Sequence, residues 1–218
     1  RACAPSALRE AANGAEILQG IREELGLQVD LIDGKTEAAI IAGTDLKNLI
    51  QQDKSYLYVD VGGGSTEFTL FSKGRAVISR SFQIGTVRLL KDMITEADWE
   101  ELRVWITEAT RPYPKIAIIG SGGNINKLYK MSGRKSGQPL SYIWLNAQYH
   151  FLKSMSYEDR ISELGLNPDR ADVILPATQL FLLAAKWGGA KKIHVPQIGL
   201  ADGIIRDLYS REGGVGSL

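Results

Sequence analysis
Tyr56-Leu57-Tyr58-Val59-Asp60-Val61-Gly62-Gly63-Gly64-Ser65-Thr66-Glu67-Phe68-Thr69-Leu70 decides how this chain is read. An apolar, β-prone run ends near an aspartate. Three glycines follow, then Ser-Thr-Glu, then a second β-prone run. The pattern predicts two strands joined by a glycine-rich hairpin. Three consecutive glycines exceed what a hairpin turn needs. They leave backbone N–H groups with no side chain in the way, which suits a phosphate group. Gly62, Gly63 and Gly64 with the hydroxyls of Ser65 and Thr66 form the expected cradle. Asp60 and Glu67 flank the turn. Mg²⁺ takes one or two carboxylates together with phosphate oxygens and water, so these two acids are the candidate metal ligands, with Mn²⁺ as the alternative ion.

Outward from the hairpin, composition is that of a globular protein. Of the 218 residues 44% are hydrophobic and 23% charged, close to ordinary averages, so the chain can build a core. The net charge of +1 gives no strong overall field. It offers no footprint for nucleic acid, and an anionic substrate must be drawn in locally. Cys3 is the single cysteine, which excludes an internal disulfide and fits a reducing cytoplasm. No apolar run approaches the ~20 residues that span a bilayer.

The spacing predicts a helix over 5–25, a strand over 27–32 and a helix over 36–49. A polar linker, Gln51 to Ser55, marks the expected domain boundary. Strands follow at 56–61, 65–72 and 75–83. Thr95 caps a helix of about fifteen residues, with Glu96 and Asp98 in its first turn. Lys115 to Ile119 is a strand running into Gly120-Ser121-Gly122-Gly123-Asn124, a second strand–turn–helix glycine loop and a possible second ligand loop. Helices are expected near 145–154 and 156–164, a long one from Pro168 to Trp187, a strand over 192–195 and a last helix over 203–211. Arg9 and Arg88 are candidate anion ligands, because a guanidinium grips phosphate oxygens bidentately. His150 and His194 have no ligand companions nearby in the sequence. The four tryptophans fall on helical stretches, as core anchors.

Asp60-Val61-Gly62-Gly63-Gly64-Ser65-Thr66-Glu67 resembles the second phosphate loop of the exopolyphosphatase and guanosine-pentaphosphate phosphohydrolase (Ppx/GppA) family. Further segments match that family in order. They are Ala4-Pro5-Ser6-Ala7-Leu8-Arg9-Glu10-Ala11-Ala12-Asn13, Ile32-Asp33-Gly34-Lys35-Thr36-Glu37-Ala38, Ile84-Gly85-Thr86-Val87-Arg88, Gly120 to Asn124, Asp169-Arg170-Ala171-Asp172, and Gly199-Leu200-Ala201-Asp202-Gly203. Pro5 stands where the family has Thr, and Thr36 replaces the first of two acids.

The resemblance implies an α/β protein of the ribonuclease-H-like, actin-like ATPase type. It implies a remnant of a first domain at 1–50 and a second domain at 56–212, and the glycine-rich composition of 213–218 adds the expectation of a disordered tail. It implies hydrolysis of phosphoanhydride bonds in inorganic polyphosphate or guanosine pentaphosphate, with Glu37 as catalytic base, and a cytoplasmic homodimer. No nucleic acid or membrane partner is expected. Family members open with another glycine hairpin, D-x-G-S-N-S or D-x-G-S-N-T, and no such segment occurs here. The resulting expectation is a chain starting inside the first domain and nearly inactive alone. A non-catalytic polyphosphate or alarmone binding module, or an actin-like small-molecule kinase, are the alternatives.

Overall fold
The computed structural model describes residues 1–4, 8–9, 11–33, 36, 40, 53–113, 115–198 and 200–211. The chain divides into two compact units, Arg1–Lys47 with Ile198–Leu218, and Asn48–Gln197.

In the first unit, β1 (Ala2–Ala4) and β2 (Val29–Leu31) pair in parallel, joined through helix α1 (Gly14–Leu25). The helix expected over 5–25 does not run through Ala11 to Asn13. There the chain turns, and the Gly14 N–H donates to the Ala11 carbonyl at 2.9 Å. A Cβ on Gly14 would sit 2.1 Å from the Leu8 carbonyl oxygen, so the chain folds back where the apolar stripe gave no sign of it. The helix expected over 36–49 lies almost entirely outside the described residues, as do Glu37 and the tail.

The second unit is built on a six-stranded mixed sheet. Strands β3 (Ser55–Val61), β4 (Thr66–Ser72) and β5 (Arg75–Phe82) form an antiparallel meander. Strand β6 (Ile116–Ser121) pairs in parallel with β3, and β8 (Lys192–His194) pairs in parallel with β6. The two-residue strand β7 (Leu140–Ser141) closes the far edge, giving the order β5-β4-β3-β6-β8-β7. This is the mixed α/β, ribonuclease-H-like architecture expected.

The short helix α2 (Thr86–Leu90), absent from the sequence reading, follows β5. Helix α3 (Glu96–Thr110) has the expected Thr95 capping box with Asp98. Helices α4 (Gly123–Met131), α5 (Tyr142–Ser154), α6 (Tyr157–Ser162) and α7 (Pro168–Trp187) complete the unit. Leu57, Val59, Val61, Phe68, Ile118 and Ile193 share one sheet face and are buried in one cluster with Leu102, Ile106, Ile125, Leu128, Ile174 and Phe181 from the helices. Each such side chain contributes about 1.5–3 kcal/mol when fully buried. The four tryptophans all sit on helices and pack against this core.

The last helix, α8 (Leu200–Arg211), groups with the first unit rather than with the sheet to which the sequence reading assigned it. Arg1 pairs with Asp207 on α8 at 3.0 Å, and a Cβ on Gly203 would lie 2.6 Å from Ile40, so the helix is tied to residues far away in sequence.

Candidate functional site
Alternation along β3 sends Val59 and Val61 into the core and Asp60 to the opposite face. The register places Asp60 directly opposite Glu67 on β4 and Ser121 on β6, and Glu67 opposite Ser81 on β5. Ser81, Glu67, Asp60 and Ser121 therefore form one polar row across four strands, with neighbouring Cβ atoms about 5 Å apart.

Hydroxyls hold both acids. Ser65 Oγ donates to Glu67 Oε1 at 2.6 Å and Ser81 Oγ to the same oxygen at 3.1 Å. Tyr58 Oη donates to Asp60 Oδ2 at 3.3 Å. Burial, and then the neighbouring charge of Glu67, push the Asp60 carboxyl up to about 6, against the hydrogen bonds from Tyr58 and Ser121. Two carboxylates side by side repel, so Asp60 and Glu67 are the described residues that would hold a divalent ion. Among the described residues no cluster of three or more His, Cys, Asp or Glu side chains could hold a metal.

The glycine loop is clamped from behind. Gly62 N–H donates to Ser65 O at 3.0 Å, closing the hairpin. The first amides of α2 take the loop's carbonyls, Thr86 N–H to Gly62 O at 3.0 Å and Val87 N–H to Gly63 O at 2.9 Å. Thr66 Oγ1 donates to Ile84 O at 2.5 Å, fixing the short segment that leads into α2. Gly85 lies flat on the loop: a Cβ there would be 2.3 Å from Gly63 O and 2.5 Å from Gly64 C. With the carbonyls held by α2, the N–H groups of exposed Gly63 and Gly64 have no partner among the described residues. Unpartnered amides of this kind can accept an anion.

The second glycine loop reaches the same place. Gly122 has φ +104°, which only glycine adopts without strain. A Cβ on it would lie 3.2 Å from Val61 O and 3.3 Å from Asp60 Oδ1. Gly120 and Ser121 end β6, while Gly123 and Asn124 open α4. Arg170 on α7 brings Nη2 to 3.1 Å from the Cβ position of Gly123, so this arginine borders the loop. Buried Oδ1 of Asn124 has no hydrogen-bond partner among the described residues.

The other candidates are placed differently. Arg9 donates from Nη1 to Ile32 O at 2.7 Å, and the Thr36 N–H donates to Asp33 Oδ1 at 2.7 Å. Both contacts fix the entry to the segment that carries Glu37, so Arg9 has a structural task. Arg88 lies on α2, and its charge is among the influences that hold Asp98 low, after the hydrogen bonds from Thr95. Sequence reasoning missed Tyr58, Ser81 and Gly85. Ser81 is the register partner of Glu67, Tyr58 lies two residues before Asp60 on the same strand face, and Gly85 was visible only as a landmark. A cavity of about 270 Å³ opens elsewhere, between residues 136–138 and His194 to Gln197, and has no carboxylate in its lining.

The site is thus a glycine loop between antiparallel strands of a mixed sheet, with paired acids beside it. A model of the Ppx/GppA phosphatase family matches residues 1–212, and the chain belongs to that family. A putative exopolyphosphatase of Haemophilus influenzae is 24% identical over 221 residues, covering 94% of this chain and 67% of that protein. Exopolyphosphatase 1 of Mycobacterium tuberculosis is 23% identical over 234 residues, covering 98% of this chain and 68% of that protein. The chain thus spans about two thirds of the length of these curated relatives. Among solved structures, an exopolyphosphatase from Cytophaga hutchinsonii has a TM-score of 0.81 at 25% identity, covering 98% of this chain and 75% of that one. The Ppx/GppA family member of Aquifex aeolicus shares the fold at a TM-score of 0.74 and 24% identity, covering 98% of this chain and 74% of that one.

Proposed function
We propose that this chain provides the phosphate loop and metal ligands of a phosphoanhydride hydrolase that removes the terminal phosphate of inorganic polyphosphate. The observation that supports it best is the exposed Gly63–Gly64 amide pair beside the register partners Asp60 and Glu67. The exopolyphosphatases among the relatives point to the same substrate. Guanosine pentaphosphate presents the same terminal anhydride and is the second substrate proposed. The family resemblance is the support for a homodimer, and the single cysteine for a cytoplasmic location.

In this reading the outward amides of Gly63 and Gly64 bind the oxygens of the terminal phosphoryl group. Asp60 and Glu67 hold Mg²⁺ or Mn²⁺, which when bound neutralises charge on the phosphoryl oxygens. Glu37 takes the proton of the attacking water, a role worth about 10²–10⁴ in rate. Little covalent chemistry falls to the protein, and positioning with charge stabilisation carries most of the rate.

The test is phosphate release by the full-length protein from long-chain polyphosphate and from guanosine pentaphosphate, with Mg²⁺ and with excess chelator. Release that stops on chelation supports the reading. Tight binding of either compound with no release in any metal would instead establish a binding module.

A further inference from the structure
Strand β5 meets β4 through a hairpin whose turn residues, Lys73 and Gly74, have φ of 51° and 74°. The turn sets Ser72 opposite Arg75 and Phe71 opposite Ala76. Continued without interruption, that register would bring Arg80 opposite Glu67. It does not continue. The ladder shifts between Leu70 and Phe71, leaving Val77 as the extra residue of a bulge, so that Leu70 faces Ile78 and Glu67 faces Ser81. A one-residue shift turns every later side chain to the other face. Arg80 is thereby sent away from the acids. Its guanidinium lies 4.6 Å from the centre of the Phe82 ring and pairs with Glu101.

An arginine opposite Glu67 would grip the carboxylate bidentately and cancel its charge. The bulge replaces it with a hydroxyl. Ser81 Oγ and Ser65 Oγ both donate to Oε1 of Glu67, which leaves Oε2 without a hydrogen bond among the described residues. The carboxylate is oriented and has no salt-bridge partner among the described residues.

We propose that Ser81, brought opposite Glu67 by the β5 bulge, is a positioning residue that fixes Glu67 with one oxygen free for a divalent cation. The inference rests on the proposed role of Glu67 as a metal ligand. Ser81 is exposed, so substitutions there leave the core untouched.

The experiment is Mn²⁺ binding to the metal-free protein, followed by water-proton relaxation, with the thermal midpoint of each variant recorded. Ser81→Ala is expected to weaken Mn²⁺ by about tenfold, the usual cost of losing a partner of a metal-bound carboxylate. Ser81→Thr keeps the hydroxyl and is expected to restore binding. Ser81→Arg supplies the cation that the bulge excludes and is expected to weaken Mn²⁺ more than Ser81→Ala does. Glu67→Gln separates the two levels of the claim. Wild-type Mn²⁺ affinity in Ser81→Ala, with affinity lost in Glu67→Gln, overturns the role of Ser81. Wild-type affinity in Glu67→Gln overturns the metal site itself, and the role of Ser81 with it.

Discussion

Asp60 and Glu67 are direct partners across the β3–β4 ladder, and the charge of Glu67 adds to burial in raising the proton affinity of Asp60. The sheet holds two acids side by side on its non-core face, so the protein stores a repulsion that a cation can relieve.

That repulsion has a pH signature in the metal-free protein. The Asp60 carboxyl titrates at about 6 in the folded chain, against an ordinary 3.8. Between these values the folded state holds a proton that the unfolded state has released. Stability from this group is therefore complete below about pH 4, falls as pH rises to about 6, and is level above that. Asp60→Asn removes the slope. Urea midpoints of wild type and variant, compared from acid to neutral pH, check this. A stability difference independent of pH would contradict the raised Asp60 value, which burial and then the Glu67 charge produce.

Gly85→Ala is expected to destabilise the protein by about 1–3 kcal/mol, the usual cost of overpacking. Its new methyl would meet the backbone of Gly63 and Gly64 at 2.3–2.5 Å, and backbone cannot swing aside as a side chain can. Urea unfolding measures the loss, and phosphate release should fall more than the unfolded fraction explains, because the loop itself moves. Wild-type stability in this variant would contradict the close approach of α2 to the loop.

Gly122→Ala combines an unfavourable φ of +104° with a methyl 3.3 Å from Asp60 Oδ1. Backbone strain of this kind costs about 1–3 kcal/mol. The expected outcome is lower stability together with weaker Mn²⁺ binding, since the methyl crowds the carboxylate. Lowered stability with unchanged metal binding would show that Gly122 serves the turn alone.

In the full-length protein Glu37→Gln is expected to remove most turnover, by a factor of about 10²–10⁴, while polyphosphate binding changes little. Paired measurements of phosphate release and of polyphosphate affinity check it. Unchanged turnover would dismiss Glu37 as the base.

The meander was legible because its aromatic and β-branched runs are bounded by Gly62 to Gly64 and by Lys73-Gly74. Helix α3 was legible because Thr95 and Asp98 form a local capping box. What stayed hidden depends on distant contacts. Helix α2 is five residues long and begins with amides spent on the carbonyls of Gly62 and Gly63, a bond no local pattern announces. The two residues of β7 count as a strand only because β8 lies beside them. The break before Gly14 comes from Leu8 folding back, within a stretch whose apolar spacing reads as one helix. In the site, Asp60, Glu67 and the loop were read from spacing. Tyr58 is adjacent in alternation yet reads as a core aromatic. Ser81 needed the bulge at Val77, without which counting from the turn puts Arg80 in its place.

The most direct test of the account is phosphate release from long-chain polyphosphate by the protein carrying Asp60→Asn and Glu67→Gln together, beside wild type, at saturating Mg²⁺. In the full-length protein, the account predicts that the wild-type sequence releases phosphate and that the double variant loses at least about a hundredfold in rate while remaining folded. Equal rates from the two proteins would contradict it, because the paired acids beneath the glycine loop would then have no part in the chemistry.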